Sequence, residues 1–247
     1  MLFSREEVAS FINRSFEPVW VSVRPVPLVH IDFGNGVQVT RTLHGNIATY
    51  VCTAQGHVLD ILPGIYTPAA YLDCLNQFRL LADYVDQDGK DRRQGRLHEY
   101  HRGQAAALRS HRVPARFINQ PDTSKIMIEG RIKAMLVSGQ SAPPVPRAAV
   151  AQERRAENPE LNSAEDLASW NVLAQDTAAN EAVRRRQIHE MLAQDGLVRP
   201  EAVTKRLYRE VLHADLDDPY LGLGSVLFAN YPFVDQGSRN VAARSSR

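Results

Sequence analysis

Two cysteines, Cys52 and Cys74, are the residues with the clearest potential for redox chemistry. Thiol–disulfide chemistry usually places two thiols at one helix N-terminus, where the helix dipole lowers a thiol pKa. These two lie far apart in the sequence and form no C-x-x-C motif. Because free cysteine commonly packs as a small hydrophobe, we predict two separate, buried and reduced thiols. The alternatives are a disulfide between them, which needs Cα atoms within about 7 Å, and a peroxide-sensing Cys52.

A pair of histidines is a candidate for metal binding. His98 and His101, in the segment HEYH, lie one helical turn apart, which on a helix could offer two ligands to one ion. A third ligand is lacking in the neighbouring sequence, so Cys74 or His111 would have to be brought in by the fold. The competing interpretation is a solvated polar face of a helix.

An acidic segment, HADLDDPYLGLG, is a second candidate for metal binding. Asp215, Asp217 and Asp218 could group around a hard cation such as calcium. Their spacing departs from that of an EF-hand loop, and the competing interpretation is a helix end followed by an Asp-Pro turn. That turn would dock on the core or contact a partner.

Two further motifs are incomplete. His189 and Glu190 begin the zinc-protease pattern H-E-x-x-H, but Ala193 takes the place of the second histidine. The basic run RRRQIH is flanked by Glu181 and Glu190 and carries no interleaved aromatic residue, so it indicates a solvated helix face rather than an RNA-binding surface.

The composition is that of an ordinary globular protein. The chain has 247 residues, 44% of them hydrophobic, and a formal net charge of +1. A charge so close to zero creates no global attraction to nucleic acid or membrane, and no apolar run approaches the roughly 20 residues that span a bilayer. The N-terminus MLFSREEVASF lacks the features of a secretory signal. We therefore predict a cytoplasmic protein with no cofactor, no membrane association and no nucleic-acid partner.

The elements that would position these residues are helices and short hairpins in the first part of the chain. The letters SREE cap a first helix, and the β-rich run VWVSV follows it. A first hairpin turns at GNG, and a second, over residues 47–62, turns at AQG. The letters PG end the second hairpin, and TP begins a long helix. The pattern predicts an α+β fold whose first domain ends near residue 85.

The rest of the chain is predicted to be mainly helical. Residues 86–160 combine a charged helical region, in which we interpret SKIMIEGRIKAMLVSG as a helix, with the Pro-rich linker SGQSAPPVPRAAVAQ. Residues 161–235 form a helical module of three helices, the second ending at Gly196 and the third starting at Pro200. Residues 236–247 are predicted to be a disordered tail.

Two segments of residues 1–85 carry a resemblance to a known family. NIATYVCTAQGHVLDILPGIYTPAAYLDCL resembles the second half of a thioredoxin-like domain, and FSREEVASFINRSFEPVWVSVRP resembles the helix and central strand of thioredoxin-like proteins of the spermatogenesis-associated protein 20 variety. The resemblance implies a thioredoxin-like first domain that is truncated or degenerate. The family's C-x-x-C is missing, and Ile47 stands where its cis-proline is expected. Cys52 and Cys74 do not match its thiols, so no catalytic residue is carried over.

These observations lead to three hypotheses. The first is a thioredoxin-like protein without its redox motif, which acts as a non-catalytic accessory and binds a protein partner. The second is a thiol–disulfide oxidoreductase whose C-x-x-C lies upstream of Met1. The third is a metal-binding protein that uses His98 and His101, or the three aspartates of HADLDDPYLGLG. Whether the chain is an enzyme, and its oligomeric state, are left open by the sequence.

Overall fold

The structure is a computed structural model that describes residues 2–25, 27–42, 47–86, 90–119, 132–135 and 164–224. Its helices are α1 (Glu6–Ser15), α2 (Pro68–Asp86), α3 (Lys90–Arg109), α4 (Ala164–Ala179), α5 (Arg185–Asp195) and α6 (Pro200–Arg206). Its strands are β1 (Leu28–Asp32), β2 (Gln38–Thr42), β3 (Ala48–Cys52), β4 (Val58–Pro63), β5 (Arg116–Asn119) and β6 (Ile132–Met135). A 3-10 turn (Leu2–Ser4) precedes α1, and π-helical turns (Asn180–Arg184 and Leu207–Val211) follow α4 and α6.

The described strands pair as three separate antiparallel hairpins, β1–β2, β3–β4 and β5–β6. The first two are the hairpins that the sequence predicts. Their turns contain Gly34, Gly36 and Gly56 at φ values of 71°, 86° and 80°, a conformation that side chains with a Cβ rarely adopt. Together with the helices they confirm the α+β class.

The β3–β4 hairpin lies at the centre of the fold, and every residue of β4 is buried. Directly paired residues of an antiparallel hairpin share a face. One face carries the pairs Tyr50–Ile61 and Cys52–Val58, and the other carries Val51–Asp60 and Thr49–Leu62.

A β-bulge between Val51 and Cys52 decides which way Asp60 faces. The register shifts there, so Leu59 has no direct partner and Asp60 pairs with Val51. Without the bulge, strict alternation would place Asp60 on the same face as Val58. The bulge therefore places this carboxylate on the face opposite Val58.

Two hydrophobic clusters cover the two faces of the hairpin. The first is formed with α1, α2 and α3 and includes Val8, Leu59, Leu62, Tyr71, Phe78, Leu81 and Leu97. The second is formed with α5, α6 and the turn after them and includes Val58, Ile61, Ile188, Leu192, Val203, Leu207 and Leu221. The C-terminal helices thus share the buried hairpin with the N-terminal ones.

The C-terminal helices differ from the prediction in one respect. The sequence predicts two helices before residue 196, but α4, a π-helical turn and α5 form one continuous helix, so the predicted break is wrong. The end at Gly196 is confirmed, since its φ is 71° and its amide donates to the Leu192 carbonyl at 3.1 Å. The start at Pro200 is also confirmed.

The helix interpretation of SKIMIEGRIKAMLVSG is wrong where the structure describes it. Ile132–Met135 is a strand that pairs with β5, because pairing with a neighbouring strand overrides a weak helical pattern. The predicted Pro-rich linker and the tail at 236–247 lie outside the described residues. Within the described residues, no peptide bond is cis and no helix is both long and apolar enough to cross a bilayer.

Candidate functional site

A buried carboxylate lies where the central hairpin meets the helices. Asp60 has no exposure to solvent. Arg185 donates to both of its oxygens, with Nη2 at 2.9 Å from Oδ2 and Nη1 bonded to Oδ1. The Tyr100 hydroxyl donates to Oδ2 at 2.9 Å, and the Ile61 amide donates to Oδ1 at 2.8 Å. These donors compensate the cost of removing the charge from water.

Arg185 connects three elements through one side chain. It is the first residue of α5, and its side chain is 7% exposed. Besides Asp60, its Nη1 donates to the Ile61 carbonyl at 2.8 Å, and the guanidinium carbon lies 5.2 Å from the centroid of the Phe78 ring on α2. The π-helical turn before α5 adds one residue to the helix, which rotates the following side chains by about 100°. This extra residue contributes to the orientation of Arg185 and the other α5 side chains toward the hairpin.

Two buried histidines, His101 on α3 and His189 on α5, lie beside the ion pair. Their Nδ1 atoms are 2.9 Å apart, so one must donate a proton and the other accept it. Among the described residues, Nε2 of His101 has no hydrogen-bond partner. The Tyr100 ring packs edge-on against both imidazoles.

The charges of Asp60 and Arg185 stabilise each other. Burial by itself raises the pKa of Asp60, but the neighbouring guanidinium outweighs burial and holds that pKa well below its ordinary value. Burial in the same way lowers the pKa of Arg185, and the carboxylate reverses the effect and holds it well above the ordinary value. Both groups are ionised at neutral pH, and the pair has no net charge.

Burial keeps the two histidines neutral. The pKa of His101 falls to about 4, because burial and the charge of Arg185 outweigh the attraction of Asp60. The pKa of His189 lies well below its ordinary value, because of burial first and Arg185 second. At neutral pH the cluster of Asp60, Arg185, Tyr100, His101 and His189 therefore has no net charge. It consists of the hydrogen-bonded group of Asp60, Arg185 and Tyr100 in ring contact with the hydrogen-bonded histidine pair. We call it the buried network.

Three members of the buried network have the ligand types of a metal site. The ligand atoms of Asp60, His101 and His189 all lie within 4.8 Å of one another. Two imidazole ligands of a tetrahedral zinc ion would stand about 3.3 Å apart, given bonds of about 2.0–2.1 Å, whereas these nitrogens are at hydrogen-bond distance. A dication would also adjoin the guanidinium of Arg185 inside a dry core. The arrangement fits a shared proton better than a metal ion.

The two histidines of HEYH have different environments. His101 joins the buried network, whereas His98 is exposed on α3. The ligands that the fold brings to His101 are Asp60 and His189 rather than Cys74 or His111. The predicted pair of His98 and His101 therefore does not converge on one point in the structure.

The aspartates of the acidic segment form a self-contained turn. The Asp215 carboxylate accepts the amide of Asp217 at 3.0 Å, and Asp218 accepts the amide of Tyr220 at 2.7 Å. Asp217 forms an exposed ion pair with Lys205 at 2.7 Å. The three carboxylates are thus used for local hydrogen bonds and a surface ion pair.

The carbonyl oxygens of this acidic turn hold an arginine from the N-terminal part. Nη1 of Arg24 lies 3.1 Å from the Leu216 carbonyl and 2.6 Å from the Asp218 carbonyl. Nη2 is 3.5 Å from the carbonyl of Pro219. The turn therefore binds a cation that the chain itself supplies and ties residue 24 to the C-terminal module.

The two cysteines are separate, free thiols. Cys52 packs on the second cluster and Cys74 on the first, so they lie on opposite sides of the hairpin. Burial raises the pKa of each thiol. The carboxylate of Glu201 raises the pKa of Cys52 further, and that of Glu181 raises the pKa of Cys74 further. Neither thiol has the lowered pKa that thiolate chemistry uses.

Three residues of the buried network carry a signal in the sequence. Asp60 is a lone acidic residue in the apolar strand VLDILP, and such a residue needs a buried partner. Arg185 and His189 are four positions apart, which puts them on one face of a helix. The sequence contains no local signal that Asp60 pairs with Arg185, because 125 positions separate the two residues.

The other candidate site is an exposed apolar surface near the N-terminus. Residues 19–23, the N-terminal run, follow α1 without regular secondary structure, so the strand expected over VWVSV is not formed. The exposed fractions of Val19, Trp20 and Val21 are 81%, 86% and 73%. Monomeric proteins rarely expose such contiguous apolar groups without a function.

The β1–β2 hairpin, which follows the run in the sequence, also exposes apolar side chains. Its register places Ile31 opposite Val39, on the same face as Val29. Val29 and Ile31 are exposed, as is Phe33 next to them. An isolated two-stranded hairpin is marginally stable in water, so this apolar face needs a covering partner.

No protein-family model, curated protein or solved structure matches this chain. The site is therefore interpreted from its own residues.

Proposed function

We propose that this chain is a non-catalytic protein-interaction module with a degenerate thioredoxin-like N-terminal part. The exposed N-terminal run is the observation that carries the proposal. Its apolar side chains face water, as do those on one face of the β1–β2 hairpin, which follows it in the sequence. Such a surface is typical of a protein-binding site.

The positions of the ionisable groups support a role without catalysis. The buried network has no exposed member to receive a substrate, since Asp60, His101 and His189 are 0%, 0% and 1% exposed. The two thiols lie on opposite sides of the hairpin with raised pKa values. The order of β3, β4, Gly64 and α2 supports the thioredoxin-like part of the proposal, although the central strand expected over VWVSV is not formed.

Binding of an apolar fluorescent dye tests the interaction surface. We expect bis-ANS to bind the wild-type protein and to bind the double variant Trp20→Ser with Val21→Ser much less strongly. The variant Val172→Ser, which changes an exposed valine on α4, serves as the control and should bind dye like the wild type. Equal dye binding by all three proteins would contradict the proposal.

Insulin reduction tests the absence of thiol catalysis. With dithiothreitol as reductant, we expect insulin to precipitate at the rate of the reductant alone. The rate should not change in Cys52→Ser or Cys74→Ser. A faster rate that either substitution abolishes would show that this chain is an oxidoreductase.

A further inference from the structure

The N-terminal run has the amino-acid sequence of a β-strand but, within the described residues, no strand that pairs with it. Its sequence, VWVSV, consists of four residues that favour strands and one serine. Within the described residues, no hydrogen bond to its backbone is found. Backbone N–H and C=O groups that are not paired within a chain are available for pairing with another strand.

We propose that the N-terminal run pairs antiparallel with the same run of a second copy of this chain. In extended backbone Val19, Val21 and Val23 lie on one face, and Trp20 and Ser22 lie on the other. When the pair is centred on Val21, each Val21 faces its counterpart and each Val19 faces Val23 of the second copy. All valines of both runs then form one continuous apolar face. The inference rests on the proposed protein-interaction function and names its partner.

The charges around the run favour this partner and this direction. The run itself is uncharged, with Glu17 before it and Arg24 after it. In an antiparallel pair the Glu17 end of one copy lies beside the Arg24 end of the other, whereas a parallel pair would bring like charges together. The net charge of +1 leaves the approach of two copies almost free of repulsion.

Arg24 also holds the run in place before it binds. Its hydrogen bonds to the carbonyls of Leu216 and Asp218 fix the C-terminal end of the run to the folded body. Fixing one end reduces the conformational freedom that is lost on pairing. Two paired runs of this length bury less than the roughly 1,600 Å² of a standard interface. We therefore expect a reversible dimer that forms at high protein concentration.

Sedimentation velocity over a range of protein concentrations tests the proposal. We expect the wild type to pass from monomer to dimer as its concentration rises. Val21→Asp should prevent dimer formation, because two carboxylates would face each other at the centre of the pair. Val21→Pro should weaken the dimer by about tenfold or more, because it removes the central N–H donors. Val172→Asp is the matched control, with the same substitution at an exposed helical valine, and should dimerise normally.

The outcomes separate this proposal from the proposed function. Because the run is exposed, we expect the Val21 variants to keep the circular dichroism spectrum and melting curve of the wild type. A dimer that survives in both Val21 variants would overturn the proposal but leave an interaction role in place. A wild type that stays monomeric at every concentration would also overturn it. The dye-binding comparison would then decide the proposed function separately.

Discussion

At the scale of single residues, the ion pair of Asp60 and Arg185 is more vulnerable to the loss of one partner than to the loss of both. Each charge is buried, and each is compensated by the other. Removal of one side chain leaves an uncompensated charge in the core, whereas apolar replacement of both is often tolerated. The surrounding bonds from Tyr100 and Ile61 cannot replace a missing counter-charge.

Asp60→Asn is expected to destabilise the protein by about 3–5 kcal/mol, because it leaves the Arg185 guanidinium buried without a counter-charge. The free energy of unfolding from urea titration at neutral pH measures the effect. Asp217→Asn is the control, because Asp217 and Lys205 form an exposed pair with side-chain exposures of 64% and 71%. The control should lose less than about 1 kcal/mol. Equal losses in the two variants would contradict the account.

The buried histidines predict a loss of stability in mild acid. His101 stays neutral in the folded protein down to a pKa of about 4, but in the unfolded chain it takes up a proton near 6.5. The neutral His101 ring therefore makes its full contribution to the free energy of unfolding above pH 6.5. About 3 kcal/mol of that free energy is lost as the pH falls toward 4. Asp60 also makes the folded protein less stable as the pH falls, but only below the ordinary aspartate pKa of 3.8.

Urea titrations between pH 7 and pH 4.5 measure this loss. A wild-type stability that stays flat over this range would show that the histidines are not held neutral.

At the scale of elements, local signals explain which parts of the fold the sequence predicts. The central hairpin and α2 follow from alternation, the AQG turn and the TP helix start. The bulge that turns Asp60 is not visible in the sequence, because it depends on packing against both clusters. The continuous helix through Asn180–Arg184 is missed for the same reason, since tertiary contacts hold the π-helical turn in place.

The loop after β4 depends on a glycine. Gly64 has a φ of 73°, and a Cβ there would lie 3.2 Å from Nδ2 of Asn180, which itself donates to the Ile65 carbonyl at 2.9 Å. We therefore expect Gly64→Ala to destabilise the protein by about 1–3 kcal/mol. Gly95→Ala is the matched control, because this glycine lies inside α3 with open space around it. The control should stabilise the protein by about 0.5–1 kcal/mol. Thermal melting measures both, and a stabilising Gly64→Ala would contradict the account.

At the scale of the whole molecule, the described residues form a buried interior and an exposed apolar N-terminal surface. The hairpin β3–β4 is covered on both faces, and the buried network links it to α3 and α5. The N-terminal run and the β1–β2 hairpin have no such cover. Sequence patterns alone cannot predict this division, because alternating apolar residues indicate a strand but not the element that covers it.

Amide hydrogen exchange of the full chain, measured in dilute and in concentrated solution, tests this division most directly. We expect the amides of β4, α3 and α5 to exchange only through global unfolding at both concentrations. The amides of residues 19–23 should exchange at the rate of an unfolded chain in dilute solution and become protected in concentrated solution. Strong protection of residues 19–23 in the dilute monomer, or rapid exchange in β4, would contradict the account.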